Sequence, residues 1–329
     1  MQALSTGPRR RDLLLAAAGA ATFGGAAAQP AYPAKPIRLV LPHSPGSSVD
    51  NLARKLAPLL AARLGQPVVI DNQAGSGGVI GVQQIIRSNA DGYTVGHVSS
   101  NYAILPHLYK LNYDPRNDIV PVTVLTTGPY ILVTHARLAV RNAQELIAMA
   151  RTRAAGSAMS YGTPGVGTSF HLAAELMKSI GGIDLLHVPY RGVNTLTTDL
   201  VSGVVDCGFL SPSSGLPLIR TGKLRALAVS SGSRSPLLPD TPTLAESGLP
   251  GYQLDGWQAI IVERGTPAAV IERLSQEINH VLRQPEVLKA LEEDGQQIVG
   301  GSPQAAAQWF QRDLDKVAAL ARSAGIKPD

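Results

Sequence analysis

The sequence predicts an α/β protein built from two strand–loop–helix units and a helical tail. Short runs of β-branched and apolar residues alternate with helical patterns almost throughout, which is typical of sheets flanked by helices. The strand–loop–helix order begins at Ile37 and restarts at Met159, and the segment Pro267–Gly325 is mainly helical. We therefore expect two sheets with helices on their faces.

The first unit opens with a compact apolar strand, Ile37–Leu41. Ser48 is expected to cap a helix whose apolar positions, 49, 52, 56, 59 and 60, follow the helical period, and Gly65 is expected to end it. Pro58 lies inside this pattern and predicts a kink. The remaining predicted elements of this unit are the strands Val68–Ile70 and Thr94–Val98, the glycine-rich turn Gly75–Gly81 and the helix Val82–Arg87.

The second unit begins where the strand Ile131–Thr134 leaves the first. Its other predicted strands are Met159–Tyr161, Leu185–Val188, Val204–Phe209 and Leu224–Val229, and its predicted helices are Ala143–Arg153, Ser169–Ser179 and Asn194–Val201. A further strand, Gly256–Val262, precedes the tail. If the tail packs on the first unit, two chain segments cross between the lobes and leave a cleft between them, where ligands of open α/β sheets bind.

Residues 1–28 predict an export signal. Three arginines, Arg9–Arg11, precede a short Leu, Ala and Gly stretch that ends in the small residues Ala26–Ala28. The run Arg10–Leu14 fits a twin-arginine signal, and an ordinary secretory signal with two arginines by chance is the alternative. We expect a periplasmic mature protein that begins near Gln29.

Charge and cysteine content argue against a nucleic-acid-binding protein and against a fold held by disulfide bonds. The 329-residue chain carries a net charge of +5, and without residues 1–28 it has 26 basic and 23 acidic residues. This balance, with no Lys/Arg-rich run, argues against nucleic-acid binding. The single cysteine, Cys207, permits no disulfide within one chain and is expected to act as a small buried apolar residue.

Two loops are the candidate binding elements. Pro42–Asp50 and Gly162–His171 each join a strand to a helix and are rich in Gly, Ser and Thr. Amide and hydroxyl donors at a helix start attract anions, and the helix dipole strengthens that attraction. One such loop in each unit predicts a clamp for a carboxylate. The alternative is that both are ordinary capped turns.

No motif demands catalysis, a metal or a cofactor. The turn Gly75–Gly81 has the spacing GxGxxxG and lacks the acidic residue that a dinucleotide site requires. Only His171 and Glu175 have a helical i, i+4 relation, which is too little for a metal site. We therefore expect no enzyme. An exported hydrolase of small esters that uses His171, His43 or Cys207 is the alternative, although no set of nucleophile, base and orienting group is recognisable.

Several blocks in the right order resemble one protein family. They are Tyr32–Arg38, Leu64–Val69, Asp91–Thr94, His187–Gly192, Gly222–Val229 and Pro239–Thr243 with Glu246 and Gly248–Tyr252. Together they resemble the Bug family, the TctC-like solute-binding proteins of tripartite tricarboxylate transporters, from Tyr32 to Ile326.

This resemblance implies the type II periplasmic-binding-protein fold, with lobe 1 formed by residues 29–132 and 254–329 and lobe 2 by residues 133–253. It also implies a small carboxylate as the ligand, and we expect a monomer that needs no metal or cofactor. The partner would be a membrane permease of the tripartite tricarboxylate type or the outer domain of a sensor kinase. The ligand-binding residues that it implies are Ser44, Ser47, Ser48, Asp50, Ser99, Ser100, Asn101, Thr163, Gly165, Gly167, Thr168, Ser169 and His171. We expect His43 and Ser211, where the sequence departs from the family pattern, to bind the ligand as well.

The chain departs from the family pattern at three places. His43 stands where the family usually has Phe, Ser47 where it has a second Gly, and Phe209–Ser211 reads Phe-Leu-Ser where it reads Phe-Asp-Asn. The loss of an acid and the gain of an imidazole predict a more apolar or more anionic ligand, such as an aromatic acid or a dicarboxylate.

Overall fold

The computed structural model describes residues 32–152 and 158–323, which form two β-sheets with flanking helices. The strands are β1 (Ile37–Leu41), β2 (Val68–Asn72), β3 (Thr94–Ser99), β4 (Ile119–Pro129), β5 (Ile131–His135), β6 (Met159–Thr163), β7 (Leu185–Pro189), β8 (Cys207–Leu210), β9 (Leu224–Val229), β10 (Asp255–Glu263) and β11 (Gln297–Gly300). The helices are α1 (Ser48–Leu64), α2 (Val79–Ile86), α3 (Asn101–Leu108), α4 (Ala143–Thr152), α5 (Ser169–Gly181), α6 (Val193–Ser202), α7 (Pro212–Arg220), α8 (Ala268–Leu282), α9 (Pro285–Glu293) and α10 (Pro303–Ser323). A 3-10 turn, Ser76–Gly78, precedes α2.

The first sheet belongs to what we call the first lobe and has the strand order β11-β4-β10-β3-β1-β2. Strands β2 and β3 run parallel to β1, whereas β10 is antiparallel to both β3 and β4. The C-terminal strands β10 and β11 therefore return to the sheet that the N-terminal strands begin. The carboxyl ends of β1 and β3 lie at the same edge because these strands are parallel neighbours.

The second sheet belongs to what we call the second lobe and has the order β7-β6-β8-β5-β9. Strand β6 is parallel to β7 and β8, and β5 is antiparallel to β8 and β9. The loops that follow β6, β7 and β8 consequently leave the same edge of the sheet. This arrangement places the loop before α5 beside the loop before α6.

The chain passes between the lobes at two adjacent places. Tyr130 joins β4 to β5, and residues 230–254 join β9 to β10. Ser230 ties the two crossings together, since its amide donates to Tyr130 O (2.9 Å), its hydroxyl accepts from Tyr130 N (2.8 Å) and the same hydroxyl donates to Leu254 O (2.5 Å). Three buried residues, Tyr130, Ser230 and Leu254, therefore connect the two crossings.

Buried aromatic side chains fix the helices that carry the binding loops. Tyr102 of α3 packs against Phe310 of α10, with ring centroids 5.7 Å apart, and its hydroxyl donates to Pro115 O (2.7 Å). The hydroxyl of Tyr252 donates to Ala173 O of α5 (2.9 Å). These contacts anchor the helix that follows β3 and the helix that follows β6.

Four elements, α3, α7, β4 and β11, are absent from the sequence prediction. Proline hides two of the helices, because α3 contains Pro106 and α7 contains Pro217 in its interior. Strand β4 contains Pro121, which the sheet accommodates at a register shift opposite Ile261. Helix α1 continues through Pro58 from Ser48 to Leu64, and the kink at this proline stays a prediction.

Residues 1–28, which the sequence predicts to be an export signal, lie outside the described residues. In the part of the chain that the structure describes, no helix is long and apolar enough to cross a lipid bilayer.

Candidate functional site

A cavity of about 480 Å³ lies between the loops of the two lobes. The first lobe contributes the loop after β1, the turn Ser76–Gly78 and the end of β3. The second lobe contributes the loops after β6, β7 and β8. Both candidate loops of the sequence analysis therefore line one cavity, which is the condition for a clamp.

The loop between β1 and α1 is shaped by Asp50. The Ser47 hydroxyl caps α1 by accepting a hydrogen bond from Asp50 N (3.3 Å). The Asp50 carboxylate is 2% exposed and accepts hydrogen bonds from Gly46 N (2.9 Å), Arg54 Nε (2.9 Å) and Asn72 Nδ2 (3.0 Å). Asp50 does not line the cavity, so its observed role is to hold the loop in shape.

The electrostatics of Asp50 follow from these contacts. Burial acts to raise the pKa of the carboxyl group, but the hydrogen bonds from Arg54, the Gly46 amide and Asn72 outweigh burial and lower the pKa below its ordinary value of 3.8. The group is therefore ionised at neutral pH, and Arg54 compensates its charge.

Two backbone donors of α1 are left for a ligand. Ser48 N and Val49 N are the first amides of the helix, and no acceptor within the described residues takes either of them. Both residues line the cavity. The helix start thus presents unused donors to the cavity.

The loop between β6 and α5 repeats this arrangement in the second lobe. The Thr168 hydroxyl accepts from His171 N (3.3 Å) and donates to Gly165 O (2.9 Å), while the buried Thr163 hydroxyl also donates to Gly165 O (3.1 Å). Phe170 N meets no acceptor in the described part of the chain, and Phe170 lines the cavity. The second helix start also offers a free donor.

A hydrogen-bonded junction connects the lobes next to the cavity. Asn101 Oδ1 of the first lobe accepts from both the amide and the hydroxyl of Ser169 in the second lobe, each at 2.7 Å. Ser100 Oγ lies 2.9 Å from Ser169 Oγ and 2.7 Å from Tyr130 Oη. One amide at the start of α5 is therefore already used to join the lobes.

Two histidines stack behind the second loop. The His171 and His187 rings lie 4.3 Å apart, His187 stacks on Tyr161, and His187 Nε2 is 2.7 Å from the Thr163 hydroxyl. Burial lowers the pKa of His187 to about 4, with His171 adding to the effect, and burial also lowers the pKa of His171. Neutral rings at this place support the loop from behind.

His43 lines the cavity from the first lobe. Burial lowers its pKa to about 4, so that the ring is neutral at neutral pH. Among residues 32–152 and 158–323, no group of three or more His, Cys, Asp or Glu side chains could hold a metal ion. The thiol of Cys207 is fully buried, and burial raises its pKa to about 12.

The predicted residues divide into a lining set and a supporting set. Those that line the cavity are His43, Ser44, Ser47, Ser48, Ser99, Asn101, Gly165, Thr168 and Ser211. Those that lie behind the lining are Asp50, Ser100, Thr163, Gly167, Ser169 and His171. The structure brings both sets together around one space, and contact with a ligand stays a prediction for each residue.

Sequence reasoning missed the aromatic walls and one cation. The aromatic residues that line the cavity are Tyr109, Tyr130, Phe170, Tyr190 and Trp257. Arg191 also lines it. Tyr190 and Arg191 follow a predicted strand, so the rule that loops after parallel strands carry ligands could have found them. Trp257 lies inside β10, and no sequence signal marks it.

The lobes touch on two sides of the cavity. The Tyr109 hydroxyl of the first lobe donates to Val166 O of the second (3.1 Å), and the Tyr109 ring lies so close to Gly167 that a Cβ there would be 2.8 Å from Cε2. At the other side, a Cβ on Gly192 would lie 3.5 Å from Ser44 Oγ. Residues of the two lobes thus lie against each other beside the cavity.

Comparison with known proteins identifies the family. Residues 52–326 match the family described as the tripartite tricarboxylate transporter family receptor, TctC. The chain belongs to this family. Its members include periplasmic solute-binding proteins, and this chain is a solute-binding protein too.

Individual TctC-family relatives agree with this assignment. Protein BugT of Bordetella pertussis is 35% identical over 299 residues, which cover 90% of this chain and 91% of BugT. The structure of the periplasmic binding protein BugD matches with a TM-score of 0.85 at 29% identity, covering 91% of this chain and 100% of that chain. The structure of Rpa4515 from R. palustris with adipate also matches with a TM-score of 0.85, at 33% identity and with the same coverage. The predicted two-lobed periplasmic-binding-protein fold is confirmed.

We predict that Asp50→Asn destabilises the protein at neutral pH. The substitution replaces a buried carboxylate that satisfies three donors, so the free energy of unfolding should fall by about 1–3 kcal/mol at pH 7. Because the folded-state pKa is lowered, the carboxylate stabilises the fold above its unfolded pKa, and this contribution is lost as the pH falls through the folded pKa. Urea unfolding at pH 7 and pH 3 should show the difference from wild type shrinking in acid.

Asp315→Asn is the matched control for this prediction. Asp315 pairs with Arg116 at 2.6 Å, but its side chain is 72% exposed, so its replacement should change the free energy of unfolding by less than about 0.5 kcal/mol. Equal effects of the two substitutions at pH 7 would contradict the role given to Asp50.

Proposed function

We propose that this protein is an exported periplasmic carrier that captures one small mono- or dicarboxylate between its lobes, aromatic acids included. The carrier then delivers its ligand to a membrane permease of the tripartite tricarboxylate type. The observation that carries the proposal is the pair of helix starts, one in each lobe, whose unused amides line a single cavity.

The donors of this cavity favour an anion. Ser48 N, Val49 N and Phe170 N lie at the positive ends of two helix dipoles, and hydroxyls such as those of Ser44 and Ser99 stand beside them. Within the described chain, no Asp or Glu side chain lines the cavity. A carboxylate would therefore meet donors without repulsion, whereas a cation would find no counter-charge.

The walls favour a ligand with an apolar part. Five aromatic side chains line the cavity, and its volume of about 480 Å³ lies in the usual range of small-molecule sites, roughly 300–1,000 Å³. The structure of Rpa4515, a relative with a similar fold, contains adipate, which is a dicarboxylate with an apolar chain. This likeness supports a short aliphatic or aromatic acid as the cargo.

Closure would couple binding to delivery. A ligand that touches loops of both lobes stabilises the closed form because it interacts with only one loop in an open form. We assign residues 29–132 and 254–329 to the first lobe and residues 133–253 to the second, except that Ile131 and Leu132 pair within the second sheet and move the first boundary to Tyr130. A permease that recognises the closed form would receive loaded protein, and the family description supports this partner over a sensor kinase.

Isothermal titration of the purified protein against carboxylates tests this function. We expect at least one acid of a panel of aliphatic and aromatic mono- and dicarboxylates to bind with a dissociation constant near 1 μM, which corresponds to about −8 kcal/mol. The matching neutral amides should not bind, and the acid should be recovered unchanged. Binding of neutral sugars alone, or turnover of small esters, would contradict a carboxylate carrier.

We predict that Gly167→Ala weakens carboxylate binding by about tenfold or more. Gly167 has φ +81°, and a Cβ there would press on the Tyr109 ring that bridges the lobes, so the substitution should oppose closure. The left-handed backbone conformation alone should make the alanine variant about 1–2 kcal/mol less stable than wild type. The measurement is the dissociation constant of the best-bound acid of the panel.

Gly182→Ala separates closure from backbone strain. Gly182 also has a left-handed conformation, with φ +57°, but nothing lies within 4 Å of the added Cβ. Gly182→Ala should lower the melting temperature and leave the affinity unchanged. Unchanged affinity in Gly167→Ala would refute the bridging role of Tyr109.

A further inference from the structure

A row of polar side chains crosses the first sheet at the cavity. Gln258 of β10 pairs with Ser99 of β3 on one side and with Thr126 of β4 on the other, so these three side chains share one face of the sheet. His97 lies two residues before Ser99 in β3 and therefore on the same face. Ser99 and Gln258 line the cavity, whereas His97 is fully buried. Gln258 thus connects a buried histidine to the cavity.

The carboxamide of Gln258 is held at its oxygen end. Gln258 Oε1 lies 2.9 Å from His97 Nε2, and because a carbonyl oxygen only accepts, Nε2 carries the proton. His97 Nδ1 is buried and has no partner among the described residues. If the amide were turned round, the proton would lie on Nδ1 as a buried donor without an acceptor, which folded proteins avoid more strictly than an unused acceptor. Burial lowers the pKa of His97 to about 3, and the nearby His43 adds to the effect, so the ring is neutral.

The nitrogen end of the carboxamide is left for the cavity. No acceptor in the described part of the chain takes the Nε2 hydrogens of Gln258, although the residue is only 4% exposed. A buried amide without a partner costs about 1–3 kcal/mol, so native sites supply one from the protein, from water or from a ligand. Because Gln258 lines the cavity between the lobes, the acceptor for these hydrogens has to come from that space.

The kind of acceptor follows from the charges at the cavity. A carboxylate of the ligand is attracted to the amides of Ser48, Val49 and Phe170, which two helix dipoles reinforce. The amide of Gln258 belongs to a strand and is a neutral donor without such a dipole, so it suits an uncharged oxygen. A hydrocarbon group at this place would leave the amide unpaired, and a site built to hydrogen-bond an oxygen rejects analogues that lack it.

We propose that Gln258, positioned by His97, is a specificity-determining residue that donates to a hydroxyl or keto oxygen of the ligand. The cavity then favours an acid that carries such an oxygen over the unsubstituted acid of the same skeleton. His97 acts through Gln258, because its N–H holds the amide oxygen and thereby directs the amide nitrogen to the ligand. This inference rests on the proposed carboxylate-binding function and assigns a selectivity to it.

Matched pairs of acids test the inference by titration calorimetry on the mature protein. Mandelate is compared with phenylacetate, malate with succinate, and 2-oxoglutarate with glutarate. For wild type, at least one pair should favour the oxygenated acid by about tenfold or more. Gln258→Met keeps the length of the side chain and removes the donor. This variant should weaken the oxygenated acid of that pair about 10- to 100-fold and change the unsubstituted acid less than about threefold.

His97→Leu tests the positioning role. Without the imidazole the amide of Gln258 can turn, so the preference for the oxygenated acid should fall about three- to tenfold, and adding His97→Leu to Gln258→Met should change the affinities no further. The double variant removes both partners of the hydrogen bond and leaves neither unpaired, so it shows the same loss of preference if Gln258→Met alone does not fold. Nitrogen NMR of labelled wild type should show the proton of His97 on Nε2 at neutral pH.

His135→Leu is the matched control. His135 is also a buried strand histidine whose Nδ1 has no partner in the described chain, but it lies outside the cavity lining, so this variant should bind every acid as wild type does. A thermal melt of each variant verifies that it is folded.

The outcomes separate this inference from the proposed function. Equal weakening of both members of a pair by Gln258→Met, or no preference for an oxygenated acid in wild type, would overturn the inference and leave the carboxylate carrier standing. A proton on Nδ1, or additive effects of the two substitutions, would refute the role of His97. If wild type binds no carboxylate of any kind, the proposed function fails and this inference fails with it.

Discussion

The structure depends on one constraint, which is that two helix starts from different sheets must face the same small volume. Amides at a helix start have no partner in their own helix, and burying them without one is costly. Asp50 and Asn72 shape the loop before α1, and Thr163 and Thr168 shape the loop before α5. The polar side chains behind the cavity thus hold the backbone amides at the two helix starts in position.

The junction between the lobes limits how the two starts can move. Asn101 accepts from Ser169 at the start of α5, so that helix has one amide tied to the first lobe and its next amide left for a ligand. Tyr130 lies in the crossing segment and hydrogen-bonds to the same junction through Ser100. A rotation of the lobes about this point would move the outer contacts, at Tyr109 and Ser44, more than the inner ones. Closure around a ligand would then mainly change the contacts at Tyr109 and Ser44, and the junction at Asn101 and Ser169 would change less.

The sequence predicts the fold class, the strands of both sheets that carry the loops, and the loops themselves, because hydrophobic periodicity and glycine-rich turns are local signals. It cannot tell lining from supporting residues. Thr163 and Thr168 have the same side chain and lie in the same loop, but only Thr168 lines the cavity, while Thr163 is hydrogen-bonded to His187 behind it. Asp50 likewise lies in a polar loop and is hydrogen-bonded to Asn72 behind the lining. It also misses Trp257, which enters the site because β10, the strand before the tail, returns to the first sheet. Prolines hide α3 and α7, since local propensity opposes helices that tertiary packing stabilises.

The most direct test of the account is a crystal structure of the protein with the tightest-binding carboxylate. The account predicts that the oxygens of one carboxylate lie about 2.7–3.1 Å from backbone amides of both loops, one at the start of α1 and one at the start of α5. A carboxylate held by one lobe alone, or bound outside the space between the two helix starts, would contradict the central claim.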